Sequence, residues 1–379
     1  MNVTKTEIIT IGKDCTVAEA IRKGIACLKQ GELVVFPTET VYGVGQAVPT
    51  NGDIEALATL KSRHDTKPFT AHIGKKSDIT RLGVGLSLLN KHFLKKMFPG
   101  PLTAVCMLKQ EDMVTVGSYL SNKQIEALYF EQSIGIRYPQ NEVAEGILGG
   151  IDLPVVASSA NLAGKKPPTC GDTVISTMNG KVALIINDGP CRYSKPSTVI
   201  SFEANRYKIL REGVLDAVTI DRLFKMKIIV VCTGNTCRSP MAEALFKRSI
   251  AKQSGESIDN LGKIGYDISS AGIMATDGAS ASSGAIEACQ GVQINISGHQ
   301  SRLLTEALIR QADYLFTMGE SHRRAIIDIV PEAAGKTALL AGDYDIADPF
   351  GMDVDWYVQC RKEIEVAVAD RVTAFVDSL

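Results

Sequence analysis

No apolar run in the 379 residues approaches the ~18 that a membrane-spanning helix needs. The first stretch, MNVTKTEIITIGKDC, also lacks the basic start and apolar core of a secretory signal. Nine cysteines are scattered without a Cys-x-x-Cys pair or a zinc-like histidine spacing, so no protein-held metal is expected. Reduced thiols in a cytoplasmic protein without membrane contact are the corresponding expectation. A Walker loop and a Gly-x-Gly-x-x-Gly turn are both missing, which removes the two commonest nucleotide-binding signatures. Internal repeats and low-complexity stretches are absent too. What remains is ordinary globular composition, 45% hydrophobic and 22% charged, long enough for two domains or a little more.

The net charge of −1 conceals two unlike halves. Residues 1–225 carry 27 basic and 22 acidic side chains; residues 226–379 carry 14 and 20. Such an asymmetry bears on partners rather than on fold. Both halves alternate β-rich apolar runs with helical patterns, which predicts an α/β protein. In the first half EIITIG and GELVVFP read as strands around a helix capped by Thr16. A second helix is predicted in IEALATLKSR. Further strands are predicted in TAVCML, SIGIRYP, LPVVASSA, ALIIND, STVISF and YKILREG, crowded closely enough to imply a mixed sheet. A new apolar strand, KIIVVC, begins at Met226. The expected domains are therefore 1–215 and 226–379.

That strand runs into Cys232-Thr233-Gly234-Asn235-Thr236-Cys237-Arg238-Ser239 and then a helix with Pro240 in its first turn. A strand–loop–helix of this kind aims backbone N–H groups and a helix N-terminus at one point, an anion site. Gly234 and Asn235 tolerate the positive φ that such a loop requires. A cysteine there is favoured as thiolate, Arg238 offers a bidentate grip on phosphoryl oxygens, and Ser239 is within reach of the sulfur. Phosphoryl transfer to sulfur also needs a proton donor for the leaving group. Asp348, fixed by Pro349, is the first candidate, with Asp343 and Asp345 as neighbours.

With the Ser269-Ser270-Ala271-Gly272, SGHQSRLL (297–304) and ADYLFTM (312–318) segments, residues 226–379 resemble the low-molecular-weight protein phosphatases. The resemblance implies a parallel sheet flanked by helices, with Cys232 as nucleophile, Arg238 as phosphate clamp and Asp348 as general acid. It implies no cofactor. Thr236, where tyrosine-specific members carry a bulky aliphatic residue, and Phe350-Gly351, where paired tyrosines are frequent, are similar to the protein-arginine phosphatase branch. Phosphorylated proteins are then the substrates, with phosphoarginine expected over phosphotyrosine; a tyrosine phosphatase is the alternative. A non-catalytic phosphate-binding domain is a second alternative. Arsenate reductases share the loop but need two further adjacent thiols, and only Cys289 and Cys360 follow it. Cys237 sits where relatives form a disulfide with the nucleophile, so oxidative protection of Cys232 is expected to be reversible.

In the first half basic residues gather around polar loops. Lys61, Arg63 and Lys67 follow a predicted helix end, Arg137 interrupts an apolar strand, and Ser158, Ser159 and Asn161 close another. An unpaired guanidinium inside a strand is costly, so Arg137 is expected to face an anion. With PTETVYGVG (37–45), KPSTVI (195–200) and ILREG (209–213), residues ~10–213 resemble the YrdC-like threonylcarbamoyl-AMP synthases. That family makes threonylcarbamoyl-adenylate and pyrophosphate from L-threonine, bicarbonate and ATP, for threonylcarbamoyladenosine formation on tRNA. The resemblance implies that Lys61, Arg63, Lys67 and Arg137 neutralise phosphates and carboxylates. It implies that Thr38, His72 and Arg137 contact threonine, and that Ser133, Ser159, Asn161, Ser197 and Arg211 line the nucleotide side. Magnesium is expected with ATP, and tRNA or its modification machinery as a partner. A non-catalytic RNA-binding module is the alternative for this half. The fold class expected overall is α/β in two domains, a YrdC-like mixed sheet followed by a parallel-sheet phosphatase.

Overall fold

The computed structural model describes residues 5–63 and 68–377, with the side chains of Val376 and Asp377 excepted. The chain divides into two compact units. One holds the residues up to Leu86 together with Leu94–Arg222; the other holds Ser87–Phe93 together with the residues from Leu223 onward.

The first unit is built on ten strands: β1 Glu7–Thr10, β2 Val34–Phe36, β3 Gly43–Ala47, β4 Thr70–His72 and β5 Leu102–Met107, then β6 Ser133–Arg137, β7 Val155–Ser159, β8 Leu184–Asn187, β9 Thr198–Glu203 and β10 Arg206–Arg211. They form one sheet in the order β1-β8-β2-β3-β7-β4-β6-β5-β9-β10. The sheet is mixed: β1 and β2 run parallel to β8, while β2/β3, β3/β7, β4/β7, β5/β6 and β9/β10 are antiparallel. Thr16 caps the helix Val17–Lys29 in a capping box with Glu19. That helix and Glu142–Gly149 bury Ala20, Leu28, Val143 and Ile147 against Val34, Phe36, Leu184 and Ile186 of the sheet. The second helix is shorter than IEALATLKSR, ending at Leu60 and leaving Lys61 at its C-cap.

Two strands arise from segments that read as polar loops. Strand β3 contains Gly43 and Gly45, which lie over the Phe36 ring; a Cβ on Gly45 would approach it to 2.9 Å. Strand β4 is three residues long, too short for an alternation to register.

The second unit carries a four-stranded sheet of β11 Met226–Cys232, β12 Tyr266–Gly272, β13 Tyr314–Thr317 and β14 Thr337–Leu339. Its order is β12-β11-β13-β14 and every pairing is parallel. Burial on both faces suits the continuous apolar run Ile228–Val231. On one face Ile229, Val231 and Leu315 pack on Ile309 and Ile326 from the helices Glu306–Gln311 and Glu320–Ile329. The helices Arg238–Ser254 and Val354–Asp377 pack together, and Phe246 of the former stacks on Phe316 of β13.

Candidate active sites

In the first unit, strand register assembles a site. His72 pairs with Arg137, Arg137 with Thr103, Thr103 with Val199 and Val199 with Arg211. Laterally paired residues share a sheet face, so five strands contribute one row of side chains. All five line a cavity of about 220 Å³, joined by Thr38, Tyr42, Arg63, Thr70, Ser159 and Ser197. The pairs Thr70/His72, Thr103/Val105 and Ala157/Ser159 follow the same two-residue period.

Arg137 is buried. Its Nη2 donates to Thr38 Oγ1 at 3.2 Å, to Thr40 Oγ1, and to Glu39 Oε1 at 3.3 Å. Its Nε has no hydrogen-bond acceptor among the described residues. A charged donor facing a polar cavity with capacity unspent suits an incoming carboxylate or phosphate. Thr38 shapes the loop before β3: its hydroxyl donates to Val41 O at 2.6 Å and accepts from Thr40 N. Burial, with the nearby Arg137 charge, pushes the pKa of His72 down to about 3, so its imidazole is neutral at neutral pH. Nδ1 lies 3.0 Å from Thr70 O; with the proton placed there, Nε2 is left as an acceptor.

Ser197 Oγ lies 3.0 Å from Thr103 Oγ1, and Arg211 Nη2 donates to Ser197 O at 2.9 Å. Arg63 lies over the Phe69 ring, 4.8 Å from its centroid. Lys61 is not in the lining: Nζ donates to Ser159 O at 3.0 Å and Asn161 O at 2.6 Å, tying the helix end to the turn after β7. Burial, then the Arg63 charge, lowers its pKa. Asn161 lies outside the lining as well and donates to Leu162 O and Lys165 O, while accepting from Ser159 Oγ. Ser133, at the far end of β6 from Arg137, gives its hydroxyl to Phe130 O at 2.6 Å and also lies outside the lining. Lys67 falls outside the described residues. Glu39 and Tyr42, within PTETVYGVG, and Thr103, at the end of FPGPLT, lie in segments that stand out in the sequence but are not among the expected site residues. The alternation in TAVCML carries the signal for Thr103, whereas nothing local marks Glu39 as the partner of Arg137.

In the second unit the loop after β11 wraps around the Cys232 sulfur. Asn235 N donates to Sγ at 3.2 Å, and Ser239 Oγ lies 3.0 Å away. Asn235 takes φ 55°, while Gly234 does not enter the positive region, so only one of the two expected residues makes the left-handed turn. The Asn235 side chain locks that turn. Nδ2 donates to Ser239 Oγ and Ser270 Oγ, each at 2.9 Å, and Oδ1 accepts from Arg302 N at 2.9 Å. His299 Nε2 lies 2.8 Å from Asn235 O, and Ser270 in turn donates to Glu243 at 2.6 Å. Gly272 at the end of β12 must be small: a Cβ there would stand 2.4 Å from Thr233 O.

Cys232, Thr233, Gly234, Thr236, Cys237, Arg238, Asp348 and Phe350 line a cavity of about 260 Å³. Arg238 is buried, donating from Nη1 to Ile346 O at 3.0 Å and from Nη2 to Asp348. The Asp348 carboxylate is half-exposed and also accepts from Phe350 N. Asp345 instead accepts from Glu320 N at 2.8 Å, and neither it nor Asp343 lines the cavity. Cys237 Sγ donates to Ser282 Oγ at 3.2 Å and lies 3.5 Å from Tyr357 OH. His322, buried beneath the loop, places Nε2 2.9 Å from Thr233 Oγ1; burial, then the Arg238 charge, lowers its pKa. Of these supports, His299, Ser270 and Arg302 sit in segments whose pattern stood out in the sequence; Glu243, His322 and Tyr357 carry no such mark.

Residues 26–213 match the family model Sua5/YciO/YrdC, described as telomere recombination. Residues 227–376 match the model of low-molecular-weight phosphotyrosine protein phosphatases. A threonylcarbamoyl-AMP synthase of Bacillus subtilis is 30% identical over 196 residues, 51% of this chain and 53% of that protein. The chain thus spans about half the length of that relative. A protein-arginine-phosphatase of the same organism is 40% identical over 145 residues, 37% of this chain and 90% of that protein. A solved structure of a YwlE mutant from Bacillus subtilis is 35% identical, covering 40% of this chain and 98% of that one, with a TM-score of 0.35.

Proposed function

For a chain that belongs to the Sua5/YciO/YrdC family over residues 26–213 and to the low-molecular-weight phosphatases over residues 227–376, we propose a cytoplasmic enzyme with two activities. The first unit makes threonylcarbamoyl-adenylate and pyrophosphate from L-threonine, bicarbonate and ATP, for delivery to the machinery that modifies tRNA. The observation that carries this reading is the row His72–Arg137–Thr103–Val199–Arg211 along one cavity. Arg137 binds the threonine carboxylate with its guanidinium, and Thr38 and the His72 acceptor orient the hydroxyl and amine. Arg63, Arg211, Ser159 and Ser197 face the phosphates and the nucleoside, with Lys61 and Asn161 holding the turn that carries Ser159. On family resemblance alone, Ser133 is assigned to the nucleotide side and Lys67 to neutralising phosphates and carboxylates. Among the described residues the lining offers guanidinium and hydroxyl groups and no cluster of carboxylates, so magnesium would enter on the ATP phosphates rather than on protein ligands. The threonine amine attacks the bicarbonate carbon with loss of water, and an oxygen of the resulting carbamate attacks the α-phosphate of ATP, expelling pyrophosphate. Positioning and charge neutralisation supply the rate. Release of pyrophosphate that requires threonine and bicarbonate together tests this; salt-dependent RNA binding without turnover would replace it with a binding module.

The second unit hydrolyses phosphorylated protein side chains. Cys232 Sγ attacks phosphorus, the loop amides and Arg238 hold the three non-bridging oxygens, and Asp348 protonates the departing atom. Water then attacks the cysteinyl-phosphate with Asp348 as base, returning the thiolate and inorganic phosphate. Arg238 is engaged by Asp348 in the free enzyme, so an arriving phosphoryl group takes over that donor and releases the carboxylate toward the leaving group. Phosphoarginine is favoured over phosphotyrosine because Thr236 leaves room and polarity at the cavity wall and the carboxylate attracts a guanidinium. Rates on matched phosphoarginine and phosphotyrosine peptides decide between them, and Cys232→Ser abolishes both. Under mild peroxide, a trapped Cys232–Cys237 disulfide is expected rather than an overoxidised Cys232.

A further inference from the structure

The segment between Lys336 and Arg361 contains Asp343, Asp345, Asp348, Asp353 and Asp355 and no basic residue. The cations at its ends are committed elsewhere. Lys336 donates to the carbonyls of Arg310 and Ala312, and Arg361 pairs with Glu365. The same segment exposes four large apolar side chains: Tyr344 at 50%, Phe350 at 74%, Met352 at 56% and Trp356 at 55%. Trp356 is the sole tryptophan in the chain. Acidic and apolar groups thus alternate over one short stretch, which solvation alone does not require.

From Asp348 onward this stretch adjoins the phosphatase cavity. Asp348 and Phe350 line the cavity, and Met352 N closes the turn by donating to Pro349 O at 3.0 Å. Asp353 caps the following helix by accepting from Trp356 N, and the next residue, Tyr357, reaches Cys237 of the loop. The apron is held in place by these contacts, so an occupant does not have to order it first.

We propose that this apron docks the polypeptide around the phosphorylated residue, and that it selects segments with basic and apolar residues next to that position. The proposal rests on the phosphatase reading and names its substrate class more narrowly. Carboxylates on the rim steer a cationic segment and reject an acidic one. Trp356 and Met352 supply the apolar anchors that dominate peptide contacts. A lysine or arginine over the Trp356 ring gains a cation–π contact as well.

The test uses the full chain and three substrates: p-nitrophenyl phosphate, a phosphopeptide flanked by Lys and Leu, and the same phosphopeptide flanked by Glu and Ser. The basic, apolar peptide should show kcat/KM at least tenfold above the acidic one at 50 mM salt, with the ratio shrinking at 300 mM. Asp353→Asn with Asp355→Asn keeps a capping side chain and should cut that ratio several-fold. Trp356→Ala should raise KM for the basic peptide about tenfold with kcat unchanged. Both variants should hydrolyse p-nitrophenyl phosphate at the parent rate. Flank preference below twofold, or an equal loss on p-nitrophenyl phosphate, overturns the docking role and leaves the phosphatase reading intact. No turnover of any of the three overturns both. Concentration-dependent dimers in sedimentation that Trp356→Ala abolishes would assign the apron to a second copy instead.

Discussion

Asn235→Ala tests whether one side chain holds the phosphate loop in its working shape. Asn235 is fully buried, and its amide makes three hydrogen bonds, to Ser239, Ser270 and Arg302 N. Each contributes ~1 kcal/mol net, and truncation also leaves the Arg302 amide without its acceptor. Alanine at φ 55° adds a further penalty of about 1 kcal/mol that asparagine largely avoids. Together this is ~4 kcal/mol favouring a rearranged loop, in which Asn235 N no longer meets Cys232 Sγ. If the loop must be restored in the transition state, kcat/KM falls about 10²- to 10³-fold. The assay is p-nitrophenyl phosphate hydrolysis by the full chain, with threonine- and bicarbonate-dependent pyrophosphate release measured on the same preparation as a control for integrity. Asn235→Gly removes the φ penalty and retains the rest, so it should recover about fivefold over alanine. Activity within threefold of the parent in Asn235→Ala would refute the reasoning. Equal rates for the glycine and alanine variants would refute its backbone part.

Arg137→Lys keeps the charge but cannot reach Thr38, Glu39 and Thr40 together; kcat/KM for pyrophosphate release should fall about 10²-fold while phosphatase activity is unchanged. Gly272→Ala sets a methyl against Thr233 O, so p-nitrophenyl phosphate hydrolysis should fall over about 100-fold, with a matching loss of vanadate inhibition. His72 has a folded pKa depressed to about 3 against an unfolded value near ~6.5, so below pH 6.5 the unfolded chain binds a proton that the folded one does not. Its contribution is complete above pH 6.5 and declines as pH falls, by about 2 kcal/mol between pH 7 and pH 5. Calorimetry should show the first unit of the parent losing several degrees more over that interval than His72→Asn; identical slopes would contradict the assignment.

The second site was legible because its chemistry is local. One strand, one loop and one helix start place Cys232, Arg238 and Ser239, and the residue types alone say that anions collect there. The first site is non-local: His72, Arg137, Thr103 and Arg211 are separated by up to 139 residues and meet only through strand register. Periodicity shows which residues of one strand share a face, but not which strands become neighbours. Strand β4 is the clearest case, since three residues cannot announce a strand, yet β4 sets His72 beside Arg137. Glu39 is hidden for the same reason, its partner lying 98 residues away. The charge asymmetry gains a physical meaning from these placements. In the first half cations converge on a cavity from strands and loops across one sheet. In the second half the acidic excess is partly gathered into one stretch beside a buried Arg238. A positive well inside a negative rim attracts a phosphoryl group more strongly when a cationic body carries it, which is why flank charge and leaving-group chemistry should vary together in this protein.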